Sequence, residues 1–198
     1  MSRISKLPLD QWDPELRAMT DADNGSPLEQ LMGGVMANAP AMAKAMNVFA
    51  GALFANTTLS RRLLELVRLR IAFHNQCRYC MSMRYGEALD DGLTEAQVCS
   101  LERPAEDPDL TAAEKAALAF ADRFATDHLA IDAKMLAGLR EHFDADEIAD
   151  LGALAACFTG FGRMGAVFDG GETLPVGARK TDGTRLAPWQ VSEPLVVR

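Results

Sequence analysis

Apolar residues recur at helical spacing along most of the chain, and capping residues mark where these segments begin. "SPLE" at residues 26–29 supplies an N-cap, a proline at the first helical position and a glutamate that completes a capping box. Residues 94–97, 111–114 and 144–147 have the same capping-box spacing, without the proline, before apolar periodic segments. The pattern predicts an all-α chain, with helices near residues 14–20, 27–38, 40–55, 60–74, 76–91, 94–101, 111–126, 132–142 and 145–168.

The sequence changes character after residue 170. Gly, Pro and turn-forming residues are frequent in "GGETLPVG" and "KTDGTRLAPWQVSEPLVVR". Trp189 and the apolar run at 195–197 nevertheless predict an arm that packs on the body of the protein or on a neighbouring subunit. We therefore predict one all-helical domain over residues 1–170, with its core at about 27–170, and an irregular C-terminal arm over residues 171–198.

Composition and charge narrow the function classes. The 198 residues, 48% hydrophobic and 24% charged, are enough for a globular domain that needs neither disulfides nor metal to fold. No apolar run approaches the roughly 18 residues of a membrane-spanning helix, and "MSRISKLPLDQWDPEL" lacks the apolar stretch of an export signal. The net charge of −8 is spread along the chain, which disfavours nucleic acid and anionic membranes as partners. These features predict a cytoplasmic protein.

The stretch "ELVRLRIAFHNQCRYCMSMRYGEAL" contains a Cys-x-x-Cys pair, which in a reducing compartment is more often catalytic or metal-binding than structural. A helix that begins near Gln76, with Asn75 as N-cap, would place Cys77 in its first turn, where backbone N–H groups favour a thiolate. Cys80 and Arg84 would follow Cys77 on the same helical stripe. This spacing predicts that the thiols of Cys77 and Cys80 lie close to the permanent positive charge of Arg84.

Glu65 lies on the preceding helix among largely apolar residues. A carboxylate in such surroundings is either paired or functional. Arg61 and Arg68, at i−4 and i+3, are the candidate partners for an ion pair. The sequence leaves both interpretations of Glu65 open.

The spacing of these residues resembles the active-site signature of the carboxymuconolactone decarboxylase and alkylhydroperoxidase D family. Glu65, eleven residues, Cys-x-x-Cys, three residues and a basic residue follow that signature, and "GLTEAQVCSL" and "EIADLGALAACFTGFGRMG" extend the resemblance diffusely over about residues 27–170. The resemblance implies an alkylhydroperoxidase D-like helical bundle. It also implies a homo-oligomer, a trimer or hexamer, with the cysteines in a partly buried pocket near a subunit interface.

One position departs from the family pattern. Peroxidase-type members have a histidine where this chain has Arg84, and an arginine cannot act as a general base, although it can hold a thiolate or an anionic group. His74, three residues before Cys77, is a candidate replacement in the proton relay, or a histidine that bonds backbone groups at a helix end. Tyr79 and Tyr85 border the site as candidate hydrogen-bond donors.

The resemblance implies a thiol-dependent hydroperoxide reductase, an antioxidant enzyme with peroxiredoxin-like activity and no cofactor. One thiolate would become a sulfenic acid, the other would close a disulfide, and a dithiol reductant of lipoyl or thioredoxin type would reset the pair. Glu65 would manage the proton and Arg84 would stabilise the thiolate. The family favours Cys80 as the attacking sulfur, whereas helix position favours Cys77, so the order stays open.

Two other functions remain as alternatives. A decarboxylase-type enzyme would act on a lactone carboxylic acid whose carboxylate Arg84 could bind. A non-catalytic redox sensor would change its assembly with the disulfide state.

Other features favour structural roles. A metal site is disfavoured because the Cys-x-x-Cys supplies only two ligands, and Cys99 and Cys157 fit apolar helical patterns that predict burial. "GFGRMG" matches a dinucleotide-binding string, but no strand precedes it, so close helix packing is the better account. A band of methionines predicts either adaptable core or the lining of a pocket, namely Met32, Met36, Met42 and Met46. Solvated polar faces are predicted for Glu114, Asp122, Glu141 and Asp150.

Overall fold

The computed structural model describes residues 3–168, 174, 178–179 and 184–197. Over these residues the protein is a bundle of α-helices with one pair of short parallel strands. In chain order the elements are α1 (Pro14–Met19), α2 (Pro27–Met36), α3 (Pro40–Asn56), α4 (Arg61–Asn75), α5 (Arg78–Met81), β1 (Met83–Tyr85), α6 (Gly86–Asp90), α7 (Glu95–Ser100), α8 (Ala112–Thr126), α9 (Ala133–Arg140), α10 (Ala145–Phe168) and β2 (Leu195–Val197). The predicted all-α class is confirmed, and each predicted helix except that over residues 76–91 is present.

The predicted caps explain where these helices begin. Ser26, Thr94 and Thr111 each accept a hydrogen bond from the backbone N–H three residues on, and the side chain at that position bonds back. Asp144 and Glu147 form the same reciprocal pair at the start of α10. Because these bonds satisfy backbone groups that the helix itself cannot, short sequence signals were sufficient to locate the helix starts.

Helix α4 is the centre of the bundle and packs against α8 and α10. Leu66, Val67, Leu69 and Ile71 are fully buried, so apolar residues cover most of the circumference of α4. By length and composition α10 could cross a membrane, and among the described helices only α10 could. Its contacts with α4, α8 and α3 instead make it a core helix of the bundle.

The predicted helix over residues 76–91 is wrong. Helix α4 ends at Asn75, and Gln76 adopts the left-handed conformation with φ of 51°. Cys77 then serves as N-cap of the short helix α5, and the chain continues as strand β1 before α6. The Gln76 side chain explains the break, because its Nε2 donates to Leu186 O and its Oε1 accepts from Leu186 N. A segment 110 residues away therefore overrides the local helical pattern.

The described part of the C-terminal arm packs on the body of its own chain. Strand β2 pairs in parallel with β1, with Met83 opposite Leu195, and Leu195 N donates to Ser82 O at 2.8 Å. The Trp189 ring lies 4.9 Å from that of Phe73 on α4. The predicted boundary at residue 170 and most of "GGETLPVG" lie outside the described residues.

Candidate active site

Cys77 and Cys80 are joined by a disulfide at the junction of α4 and α5. Cys77 is fully buried, and its Sγ accepts the Cys80 backbone N–H at 3.2 Å. Gly165 of α10 closes over the pair, since a Cβ at that position would lie 3.0 Å from Cys77 Sγ. A Cβ on Gly162 would collide with the Asn75 side chain. The close helix packing predicted for "GFGRMG" is thus confirmed at Gly162 and Gly165.

Cys80 lies on the wall of a cavity of about 370 Å³, a volume typical of small-molecule sites. Helices α2, α3, α4 and α10 and strand β1 enclose this cavity, and most of the lining side chains are apolar. Three methionines of the predicted band line it, Met32, Met36 and Met46, whereas Met42 is 60% exposed. The pocket-lining interpretation of the band therefore holds for three of its four members.

Arg84 does not share a helical stripe with the cysteines, so that prediction is wrong. Arg84 lies in β1, and its side chain is 1% exposed. Its Nε and Nη2 donate to the two oxygens of the Glu95 carboxylate. Its Nη1 donates to the backbone carbonyls of Met81 and Met83, and Nη2 also donates to the backbone carbonyl of Pro188. These contacts use all five N–H donors of the guanidinium. Arg84 thus ties the arm to the body and keeps no donor for a thiolate or a substrate.

Glu65 is held in a buried ion pair with Arg68. The Arg68 Nε donates to Glu65 Oε2 at 2.6 Å and its Nη2 donates to Oε1 at 2.7 Å, and the two side chains are 6% and 1% exposed. The Tyr85 backbone N–H also donates to Oε1, at 3.3 Å. Arg61, the other candidate partner, pairs with Glu87 instead. The paired interpretation of Glu65 is therefore the one that the structure supports.

Arg68 is the cation that borders the cavity beside the cysteines. Its Nη1 donates to Cys80 O at 2.7 Å and its Nη2 donates to Met83 O at 3.0 Å. Four of its five N–H groups therefore have acceptors among the described residues, and one on Nη1 does not. Burial alone would lower the pKa of Arg68, but Glu65 raises it above its usual value, so the guanidinium stays charged. The i,i+3 spacing from Glu65 was the sequence signal for this pair.

Tyr79 and Tyr85 also line the cavity. The Tyr85 ring lies 5.0 Å from Arg68 Cζ in a cation–π contact. Burial raises the pKa of both phenols, and for Tyr85 the Arg68 charge opposes that effect. Both hydroxyls are therefore neutral hydrogen-bond donors at physiological pH.

His74 lies half-buried on α4, and its Nε2 is 2.7 Å from Asp122 Oδ1 on α8. Arg70 binds both oxygens of the same carboxylate. Burial would raise the pKa of Asp122, but the hydrogen bonds from His74 and Arg70 lower it. The Asp122 side chain is paired but 30% exposed, so its predicted solvation holds only in part. The predicted solvation of Glu114 is wrong, because Glu114 is 7% exposed and pairs with Arg62. His74 bonds a carboxylate rather than backbone groups, and its role in a proton relay stays a prediction.

The remaining cysteines differ from each other. Cys157 is buried on α10 and lines the cavity, and burial raises the pKa of its thiol. Cys99 is exposed, so its predicted burial is wrong. Within the part of the chain that the structure describes, no three His, Cys, Asp or Glu side chains converge as metal ligands.

Comparison with known proteins finds similarity in the segment that contains the two cysteines. The model of the carboxymuconolactone decarboxylase family matches residues 40–123, which run from α3 into α8 and include the cysteines. The uncharacterized proteins MT2376 and Rv2313c of Mycobacterium tuberculosis are each 39% identical over 89 residues, which is 44% of this chain and 31% of theirs. The chain thus matches about a third of the length of these curated relatives.

Two solved structures share the fold. An uncharacterized peroxidase-related protein from Ralstonia eutropha, described as an alkylhydroperoxidase AhpD core, is 20% identical with a TM-score of 0.72, covering 90% of this chain and 94% of its own. A protein of unknown function from Agrobacterium tumefaciens, a candidate antioxidant defence protein AhpD, is 24% identical with a TM-score of 0.64, covering 71% and 95%. The fold is therefore alkylhydroperoxidase D-like. The match over residues 40–123 and the shared fold support a relationship to the carboxymuconolactone decarboxylase and alkylhydroperoxidase D-like family.

Proposed function

We propose that the protein is a thiol-dependent hydroperoxide reductase in which Cys80 is the attacking sulfur and Cys77 the resolving one. The observation that carries this proposal is the unequal position of the two bonded cysteines. Cys80 lines the cavity, whereas Cys77 is 0% exposed behind it. A substrate in the cavity can thus approach Cys80, and the product on Cys80 is already within bonding distance of Cys77.

The reaction balances without a cofactor. The Cys80 thiolate attacks the terminal oxygen of the hydroperoxide, the O–O bond breaks, and Cys80 becomes a sulfenic acid while the alcohol leaves. The Cys77 thiol then displaces water from Cys80 and closes the disulfide. An external dithiol of lipoyl or thioredoxin type attacks Cys80, releases the Cys77 thiolate and is itself oxidised to a disulfide.

The backbone supports the reductive half of this cycle. When a dithiol attacks Cys80, the leaving group is the Cys77 sulfur, which accepts the Cys80 N–H. That hydrogen bond favours the thiolate and so makes Cys77 the better leaving group. The decarboxylase alternative gains no support from Arg84, whose donors are all used by protein acceptors.

Steady-state turnover tests the proposal. We expect the reduced protein to consume hydroperoxide continuously when a dithiol such as dihydrolipoamide is supplied, and to stop after one equivalent without it. A Cys99→Ser background removes the exposed thiol that would otherwise oxidise independently. Oxidation by peroxide without recycling by dihydrolipoamide or by reduced thioredoxin would indicate the redox sensor instead. A thiol pair that stays reduced in excess peroxide would contradict both.

We also propose that a second copy of the chain docks on helix α3. Of its 17 residues only Ala43 is buried, and Val48 and Phe49 are 61% and 50% exposed. The opposite side of α3 lines the cavity, so this interface would adjoin the site. Exposed apolar side chains grouped on one helix are typical of association surfaces, and the family resemblance implies a homo-oligomer.

The oligomeric state should depend on that face. We expect Phe49→Glu to reduce the mass measured by light scattering after size exclusion, because a charge would be buried against apolar surface. Leu129→Glu is the matched control, since Leu129 is 87% exposed on a short helical turn outside α3. A wild-type protein that is monomeric at high concentration would refute the proposal.

A further inference from the structure

The leaving oxygen of the proposed reaction needs a proton, and the groups predicted to supply it are engaged elsewhere. Glu65 binds Arg68, and His74 bonds Asp122 on α8. Cleavage of an alkyl hydroperoxide leaves an alkoxide, a strong base that an apolar cavity stabilises poorly. Some other proton donor must therefore reach the cavity.

The side chains with an acidic proton that line the cavity are those of Glu29, Tyr79, Tyr85 and Cys157. Burial raises the pKa of the Cys157 thiol and no charged group opposes that effect, so loss of its proton is not compensated. Glu29 lines the cavity, but its Oε2 accepts the Ser26 N–H in the capping box of α2. Tyr79 and Tyr85 also line it, and among the described residues neither phenolic oxygen has a hydrogen-bond partner. Both tyrosines are therefore candidate proton donors to an oxygen atom bound in the cavity.

Arg68 distinguishes the two tyrosines. Its guanidinium lies over the Tyr85 ring, 5.0 Å from the ring centroid, and donates a hydrogen bond to the Cys80 carbonyl. Arg68 therefore contacts both the Tyr85 ring and the residue that carries the attacking sulfur. The Arg68 charge lowers the pKa of both phenols, but for Tyr85 it is the largest effect after burial, and only the Tyr85 ring has a cation–π contact with Arg68 among the described residues. Proton loss is thus better compensated at Tyr85.

We propose that the Tyr85 hydroxyl is the proton donor to the leaving oxygen when Cys80 cleaves the O–O bond of an organic hydroperoxide. This inference rests on the proposed function. As the S–O bond forms, the alkoxide takes the phenolic proton and leaves as an alcohol. The Tyr85 phenolate, beside Arg68, regains a proton from water before the next turnover. The histidine relay of peroxidase-type relatives is thereby replaced by a tyrosine paired with an arginine.

The dependence on leaving group tests the role of Tyr85. We expect Tyr85→Phe to slow disulfide formation with tert-butyl hydroperoxide by about 100-fold, the low end of general-acid effects. The same variant should react with peroxyacetic acid at nearly the wild-type rate, because an acetate leaving group needs no proton. Single-turnover oxidation of the reduced protein, followed by quenched-flow thiol analysis, measures both rates without a reductant.

Tyr79→Phe is the matched control, because it removes a second cavity hydroxyl next to Cys80. It should leave the ratio of the two rates at its wild-type value, because a phenol that lines the cavity without donating the proton affects both peroxides alike. Equal slowing of the two peroxides in Tyr85→Phe would show a packing role and overturn the inference, as would a selective loss in Tyr79→Phe. If the wild-type protein oxidises with neither peroxide, the proposed function itself fails.

Discussion

Cys80→Ser should abolish the reaction of the protein with hydroperoxide, whereas Cys77→Ser should react once and stop. The reason is that only Cys80 lines the cavity, while Cys77 is enclosed by α5 and by Gly165 of α10. In Cys77→Ser the sulfenic acid on Cys80 has no thiol partner at that position and should persist. Trapping with a 1,3-diketone, followed by mass spectrometry of a peptide digest, would locate it.

Two cysteines provide internal controls for this experiment. All variants are made in a Cys99→Ser background, because Cys99 is exposed and would add its own oxidation. Cys157 lines the same cavity, but burial raises the pKa of its thiol, so it should remain unmodified. A sulfenic acid on Cys77 in the Cys80→Ser variant would reverse the proposed order of attack.

The helices and the cysteine pair could be predicted because their signals are local. The capping boxes at Ser26, Thr94 and Thr111 act within one helical turn, and their hydrogen bonds are present in the structure. The largely apolar surroundings of Glu65 are likewise present in the structure, where residues of α4 belong to the main hydrophobic core. Where a feature depends on neighbours in sequence, the sequence was sufficient.

The path of the chain after Cys77 could not be predicted, because its determinants lie near the C-terminus. Gln76 bonds Leu186, and β1 exists because β2 pairs with it in register. Nothing within residues 76–91 marks that pairing, so a continuous helix was the reasonable local interpretation. The error then carried over to Arg84, which a helix would have placed beside the cysteines and which β1 places against Glu95 and Pro188.

The cation of the site was predicted at the wrong arginine for a related reason. Both Arg68 and Arg84 lie at helical spacing from a site residue, Arg68 from Glu65 and Arg84 from Cys80. The helix that carries Glu65 and Arg68 is intact, so their i,i+3 contact forms. The helix that would have joined Cys80 and Arg84 does not form. A rule based on helical spacing therefore predicts a contact only where the helix that it assumes is actually formed.

Glu65→Gln should lower the free energy of unfolding by about 3 to 5 kcal/mol, because the variant leaves the buried Arg68 charge without its counter-ion. Arg68 also holds the carbonyls of Cys80 and Met83, so the loss should loosen the backbone around the disulfide. Urea unfolding monitored by circular dichroism measures the change. The test separates a carboxylate that holds Arg68 from one that is free to relay protons.

The chain offers a matched control in the exposed pair Arg103 and Glu106. This pair has the same i,i+3 spacing, but its side chains are 76% and 73% exposed and the charged atoms lie 3.8 Å apart. Glu106→Gln should leave the unfolding curve unchanged within error, because solvent screens such a pair. If Glu65→Gln unfolds at the same urea concentration as Glu106→Gln, Glu65 does not hold Arg68 in place. Its carboxylate would then be available for the proton relay that the family resemblance implies.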